Sequence, residues 1–250
     1  MVTCNLQGGI GNQLFIIAAT IGLATINNTD YKIPQNSIDP NPNRKAIFKH
    51  FPILMPDEIK SIYNEPAFTY TDIPYQDGIC LNGFFQSYKY FDHCREEIVK
   101  ALNIPYEINH GIVSIHVRRS DYLLTPEYHP VLTMKYYTAA IEHFLDYGYQ
   151  KFIVFSDAMD WGRSNLNKDN FPLCDFEYSE GNTALKDMEL MQNCEHQIIA
   201  NSSFSWWGAW LNQNPKKIVV APVTWFGKEG PKDTEDLIPE QWVNYAYPKG

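Results

Sequence analysis

Between residues 114 and 122 the chain reads SIHVRRSDY, which sets His116, Arg118, Arg119 and Asp121 at the end of an apolar run. The run, with Ile112, Val113, Ile115 and Val117, reads as a buried strand. In open α/β sheets, ligands bind beyond the carboxyl ends of the strands. Arginine there suits an anion, because a guanidinium grips phosphate oxygens in a planar, bidentate way. Strand alternation puts His116 and Arg118 on one face, and Val117 and Arg119 on the other. One arginine then faces a ligand while its neighbour faces elsewhere. The plainer alternative is a charged strand end in which Arg119 pairs with Asp121.

Three other stretches could share that ligand. In IIANSSFSWWGAW (198–210) an apolar strand runs through Asn201 and Ser202 into a helix that starts near Ser203, Phe204 and Ser205. Free backbone N–H groups, hydroxyls and the positive end of a helix dipole suit an anion. The alternative is simple N-capping by Asn201, Ser202 or Ser203. In LKDMELM (185–191), Asp187 sits in the first helical turn. It either complements the dipole or accepts from the donor groups of a base such as guanine. In FSD (155–157), Ser156 and Asp157 end a strand near the same place, and Asp157 could equally cap the next helix.

The chain opens with a glycine cluster, GGIGNQLF (8–15), after a short apolar strand. Gly9 and Gly11 fit a dinucleotide-binding loop, but Leu14 stands where a third glycine is required. A nicotinamide-dependent oxidoreductase would use an acid such as Asp30 on the ribose, and the missing glycine speaks against it. Small glycines would instead let the backbone approach a sugar diphosphate. Asn12 and Gln13 then become contacts to sugar or acceptor, the alternative being that Asn12 caps the first helix.

The elements that must position these residues alternate. Strands are expected at 1–6, 79–86, 111–119, 151–157, 196–201 and 216–222. Helices are expected at 12–28, 87–104, 133–148 (with Gly148 as C-cap), from 159, at 184–195 and at 202–213. Residues 31–75 read as loops and short elements, and 235–242 closes the chain. Strand–helix alternation means α/β architecture with parallel sheets. The spacing fits two Rossmann-like domains, 1–107 and 108–250. Trp206, Trp207 and Trp210 are expected to pack between helix and sheet. Length and composition agree: 250 residues, 44% hydrophobic and 20% charged, are those of a globular protein with a sizeable core.

A net charge of −9 argues against a sequence-independent nucleic-acid binder, but a few local arginines suffice for a small anion. The five cysteines are scattered, with no C-x-x-C spacing, and read as reduced buried thiols. No signal peptide and no run of about 18 apolar residues is present, so the chain reads as cytoplasmic. No P-loop, no G-x-S-x-G elbow, no H-E-x-x-H and no D-x-D triplet occurs, so no metal ligand set is visible.

GGIGNQLF, HVRRSDY, FSDAMDW, DMELM and IIANSSFSWWGAWLN, with VVAPVTWF and DLIPEQW at the end, together resemble the α-1,2-fucosyltransferases, glycosyltransferase family 11. The resemblance covers most of the chain and is thinnest over 28–78. It implies a GT-B fold whose two Rossmann-like domains face a cleft, acceptor mainly on the first and donor mainly on the second. It implies GDP-β-L-fucose as donor substrate, no cofactor, and inverting, metal-independent transfer to the 2-hydroxyl of a galactose-containing acceptor glycan. Site roles carry over residue by residue. His116 lies near the nucleoside, Arg118 binds the β-phosphate, Asp187 binds guanine, and Ser203, Phe204 and Ser205 bind phosphate or ribose. Gly9, Gly11, Asn12, Gln13 and Asp157 complete the donor set. For a general base the candidates are Asp121 and Glu127, with His129 behind them, and Asp121 could instead orient an arginine. Three positions depart from the family pattern: Ser120 for a usual Gly, Ala158 for a second acid and Ile16 for a Gln. A fucosyltransferase of other linkage and a non-catalytic glycan-binding module are the remaining alternatives.

Overall fold

In the computed structural model the residues described are 1–34 and 58–245. Part of the stretch expected to hold loops and short elements, 35–57, lies outside them. The chain divides into two compact units, Met1–Ile104 with Asp233–Pro239, and Pro105–Lys232 with Glu240–Gly250. A short C-terminal segment, Asp233–Pro239, thus belongs to the first unit.

The first unit carries three parallel strands, β1 (Val2–Cys4), β2 (Ser61–Asn64) and β3 (Ile79–Asn82), in the order β1-β3-β2. β1 runs straight into α1 (Ile10–Ile26). Every α1 residue from Ile10 to Ala24 except Asn12 is buried, as its nearly unbroken apolar sequence requires. The helix starts two residues earlier than expected. Gly9, with extended backbone, is its N-cap, so Gly11, Asn12 and Gln13 form its first turn rather than a loop, and Asn12 is not the cap.

The expected helix over 87–104 is broken. Two 3₁₀ turns, Tyr88–Tyr90 and Asp92–Cys94, precede a short α2 (Arg95–Leu102). The cause is Phe91, whose backbone leaves the helical region (φ −148°) to bury its ring against Phe15, centroids 5.9 Å apart. Asn103, left-handed at φ 48°, ends α2 ahead of Pro105.

The second unit is a six-stranded, wholly parallel sheet. Its strands are β4 (Asn109–Val117), β5 (Lys151–Ser156), β6 (Asp175–Tyr178), β7 (Cys194–Ile198), β8 (Val219–Pro222) and β9 (Val243–Tyr245). They lie in the order β6-β5-β4-β7-β8-β9. Counted from β4, this is the 3-2-1-4-5-6 order of dinucleotide-binding sheets. Helices α3 (Met134–Asp146), α4 (Met159–Asn165), α5 (Ala184–Asn193) and α6 (Ser203–Leu211) connect the strands. Tyr147 occupies the cap of α3, and Gly148 follows at φ 86°, the left-handed conformation that stops a helix at little steric cost.

Val113, Ile115, Val117, Phe152, Val154, Ile198 and Val220 form the core with Tyr136, Tyr137 and Phe144 of α3. The tryptophans of α6 are buried, Trp206 against Trp242 at 5.4 Å and Trp207 against Trp210 at 5.1 Å, as expected of a helix seated on a sheet. The two strands of this sheet absent from the expected set, β6 and β9, are its edges. An edge strand needs no continuous apolar run, and DFEY in β6 alternates exposed and half-buried residues. All five cysteines are free and buried.

Candidate functional site

The topological switch point of the second sheet lies between β4 and β7, where connections leave in opposite directions. Both strongest sequence motifs end there. β4 finishes at Val117, so Arg118 and Arg119 lie just beyond it. This corrects the expected alternation: neither arginine is held by the strand pleat. Their separation has another cause. The Arg119 guanidinium stacks over the Trp161 ring of α4 at 4.3 Å, while Arg118 turns to two carboxylates.

Arg118 Nη2 lies 2.9 Å from Asp121 and Nη1 3.2 Å from Asp157 Oδ2, with the guanidinium 5.5 Å from the Tyr122 ring centroid. The expected alternative of an Arg119–Asp121 pair is therefore replaced by Arg118–Asp121. Asp157 also accepts from the backbone N–H groups of Arg119 (2.9 Å) and Ser120 (3.2 Å). It does not cap α4, whose N-cap is Ala158 with no side-chain bond. Ser120, standing for the usual glycine, donates its hydroxyl to the Asp157 carbonyl at 2.8 Å. The carboxyl end of β5 thus fixes the turn after β4.

His116, one residue short of the strand end, is buried, and its ring lies 5.7 Å from Phe204 at the start of α6. Burial, with the Arg118 charge beside it, drives its pKa down to about 3, so it is neutral at physiological pH. Its Nδ1 is buried without a hydrogen-bond partner. Such an atom is expensive unless a ligand or water serves it.

Across the switch point, β7 passes through Asn201 and Ser202 into α6. Ser202 is the N-cap residue but makes no side-chain cap bond. Ser203 and Phe204 are half-buried, whereas Ser205 is buried and its hydroxyl reaches back to the Ser202 carbonyl at 3.2 Å. First-turn N–H groups and the positive end of the helix dipole, as at this end of α6, are of the kind that suits an anion.

Asp187 lies in the first turn of α5, half-buried, with Oδ1 accepting from the Ser179 hydroxyl (2.7 Å) and Asn182 Nδ2 (3.3 Å). Burial raises its pKa, and those two bonds oppose the rise. Thr183, not Asp187, caps the helix. An oriented carboxylate here matches paired donors such as those on a guanine edge.

The remaining base candidates sit on the loop after β4. Glu127 pairs with Lys228 at 3.1 Å, both exposed. His129 stacks on Tyr122 (4.5 Å), and burial lowers its pKa, opposed by Asp121 and reinforced by Arg118. Tyr122 has no role in the sequence reading, and Asn201 is expected there only as a candidate cap of α6, whose N-cap is Ser202. The Tyr122 hydroxyl donates to the Asn201 carbonyl (2.8 Å), and Asn201 Nδ2 donates to the carbonyls of Pro130 and Trp225. They tie the arginine loop to the β7–α6 junction. Only the Tyr of SDY hinted at this, since its partner is 79 residues away.

In the first unit, Gln13 is buried, its Nε2 donating to the Gly8 carbonyl (2.9 Å) and its Oε1 without a partner. Asn12 accepts from Gln86 Nε2 at 3.0 Å. Gly9 is exposed and Gly11 buried. Among the described residues, no cluster of three His, Cys, Asp or Glu side chains is placed to hold a metal ion. No described helix is long and apolar enough to cross a membrane.

A family model described as glycosyl transferase family 11 matches residues 29–246. The alpha-1,2-colitosyltransferase of Escherichia coli is 29% identical, over 97% of this chain and 98% of that protein. The O-antigen biosynthesis glycosyltransferase WbnK of Escherichia coli is 36% identical, over 68% of this chain and 61% of that protein. The galactoside alpha-(1,2)-fucosyltransferase 2 of Mus musculus is 28% identical, over 84% of this chain and 67% of that protein. Among solved structures, POFUT1 in complex with GDP matches 88% of this chain and 97% of that one, with a TM-score of 0.50 at 12% identity. That likeness is one of fold, α/β of GT-B type with parallel sheets.

Proposed function

This chain belongs to glycosyl transferase family 11, and on that premise we propose that it transfers L-fucose from GDP-β-L-fucose to the 2-hydroxyl of a galactose-containing glycan, with inversion and without a metal ion. The observation that carries the reading is the switch point: Arg118 follows β4 and α6 starts beyond the neighbouring β7, with His116 of β4 and Phe204 of α6 5.7 Å apart. A sugar diphosphate is the ligand class this combination suits.

In the proposed site Arg118 and the first-turn N–H groups of α6 neutralise charge growing on the departing GDP. Such groups, fixed before reaction, stabilise a transition state without reorganising. Asp187 receives the guanine edge, and the neutral imidazole of His116 lies beside the nucleoside. As the C1–O bond to the diphosphate breaks, the sugar gains oxocarbenium character. The acceptor hydroxyl then attacks the opposite face and loses its proton to a base. The candidates for that base are Asp121, Glu127 and His129 of the loop after β4, Asp121 being paired with Arg118 and Glu127 with Lys228.

One relative favours a second donor. The colitosyltransferase spans nearly the whole of both chains, and colitose is fucose without its 3-hydroxyl. Incubation with GDP-fucose or GDP-colitose and a panel of β-galactosides, with linkage analysis and parallel reactions in EDTA, distinguishes these readings. Transfer should persist in EDTA. Arg118→Ala should lower the rate by about two orders of magnitude or more, as removal of a charge-stabilising donor does. Near-normal turnover in that variant would remove Arg118 from its role.

A further inference from the structure

Three asparagines stand in a row where the first unit's strands end. Asn64 and Asn82 are the last residues of β2 and β3 and are paired in register, and Asn5 follows β1. Their amides are joined: Asn5 Nδ2 donates to Asn82 Oδ1 (3.2 Å), and Asn82 Nδ2 donates to Asn64 Oδ1 (2.7 Å). Asn5 and Asn64, at the two ends of the row, are exposed. Among the described residues nothing accepts from Asn64 Nδ2, so the row ends in two free donors.

Beside it the chain is forced into a fixed display. Phe85, a bulky residue at φ 50°, is a true backbone outlier, and such outliers persist only where their surroundings over-determine them. Here the Glu65 carboxylate accepts from the N–H groups of Phe84 (2.6 Å) and Phe85 (2.9 Å). A side chain at Gly83 would come within 2.3 Å of Glu65 Cβ. Phe85 is buried against Tyr63 and Tyr90. The outcome is that Phe84, next to it, is turned outward and is 36% exposed at the end of the central strand.

No lysine or arginine belongs to this group, so it does not suit a phosphate. Amides that both donate and accept suit ring hydroxyls, and an exposed aromatic face suits the C–H face of a pyranose. We infer that the carboxyl end of the first unit's sheet is a neutral-sugar subsite, in which Asn5, Asn64, Asn82 and Phe84 bind the acceptor glycan while Glu65 and Phe85 hold Phe84 in place. The inference rests on the transferase reading and names residues that select its acceptor.

The test uses the full chain with lactose, N-acetyllactosamine and methyl β-galactoside. For whichever is fucosylated, Phe84→Ala and Asn64→Ala should each raise the acceptor KM about tenfold, the scale of a lost aromatic or hydrogen-bonded contact. The KM for GDP-fucose, the slow hydrolysis of GDP-fucose without acceptor, and the melting temperature should all stay as in the parent. An unchanged acceptor KM in both variants of a transferring enzyme overturns the subsite. Should the parent chain transfer nothing, saturation-transfer NMR with the same three glycosides decides. A glycoside signal that Phe84→Ala abolishes keeps the subsite while the transferase reading falls, and no signal from the parent chain overturns the subsite as well.

Discussion

At the scale of single residues, the arginine of HVRR is held by its acidic neighbours. Asp157 distributes its two oxygens over three donors: Arg119 N–H, Ser120 N–H and the Arg118 guanidinium. An asparagine there keeps one acceptor oxygen and loses the charge, so it cannot satisfy all three. Asp121 contributes only a side-chain pair, and its own exposure weakens it. The two acids therefore differ in what they protect. Asp157→Asn should loosen the whole turn and weaken GDP binding about tenfold, the weight of a lost charge-assisted bond. Asp121→Asn should cost GDP affinity less than Asp157→Asn. Titration calorimetry with GDP on both variants checks the order, and a reversed order would move the positioning role to Asp121.

At the scale of elements, each motif on an interior strand was readable and each feature set by a distant partner was not. β4, β5 and β8 carry the apolar runs that a doubly covered parallel strand needs, and the carboxyl ends of β4, β5 and β7 marked the candidate site. β6 and β9 were invisible because edge strands need no such run. The helix expected over 87–104 has the right period, but burying Phe91 breaks its first half. Sequence led to the expectation that Arg118 and Arg119 part company through the strand pleat, which ends before them. It could not show that Trp161 and Asp157, both outside HVRRSDY, separate them. Gly22 makes the same point energetically. In mid-helix, Gly→Ala ordinarily gains about 1 kcal/mol. Here the added Cβ would sit 2.1 Å from the Tyr90 carbonyl oxygen, a backbone atom that cannot swing aside. Overpacking of this kind costs about 1–3 kcal/mol, so the clash outweighs the propensity. Gly22→Ala should lower the melting temperature, and a rise in calorimetry would mean that α1 and the 88–91 turn separate easily.

At the scale of the molecule, the fold disfavours the charged form of several imidazoles, and this gives its stability a direction in pH. Burial lowers the pKa of His116, His129 and His196, and for His116 the folded value is about 3 against 6.5 in the open chain. Above pH 6.5 neither state of His116 is protonated and the fold loses nothing. Below it the unfolded chain takes up a proton that the folded protein refuses until about pH 3. Stability therefore falls with pH across that window, by about 1.4 kcal/mol per unit from His116 alone. Glu65 and Asp187, whose pKa values burial raises, act in the opposite sense. These carboxyls act from the open-chain value near pH 4 up to their raised folded values, so the share of His116 between pH 7 and 5.5 is isolated by a variant that cannot titrate there. Melting temperature should drop steadily over that interval, and His116→Gln should flatten the slope because glutamine leaves nothing to protonate. Equal slopes for the two proteins would mean that His116 is protonated in the folded state and that its burial beside Phe204 and Arg118 does not keep it neutral.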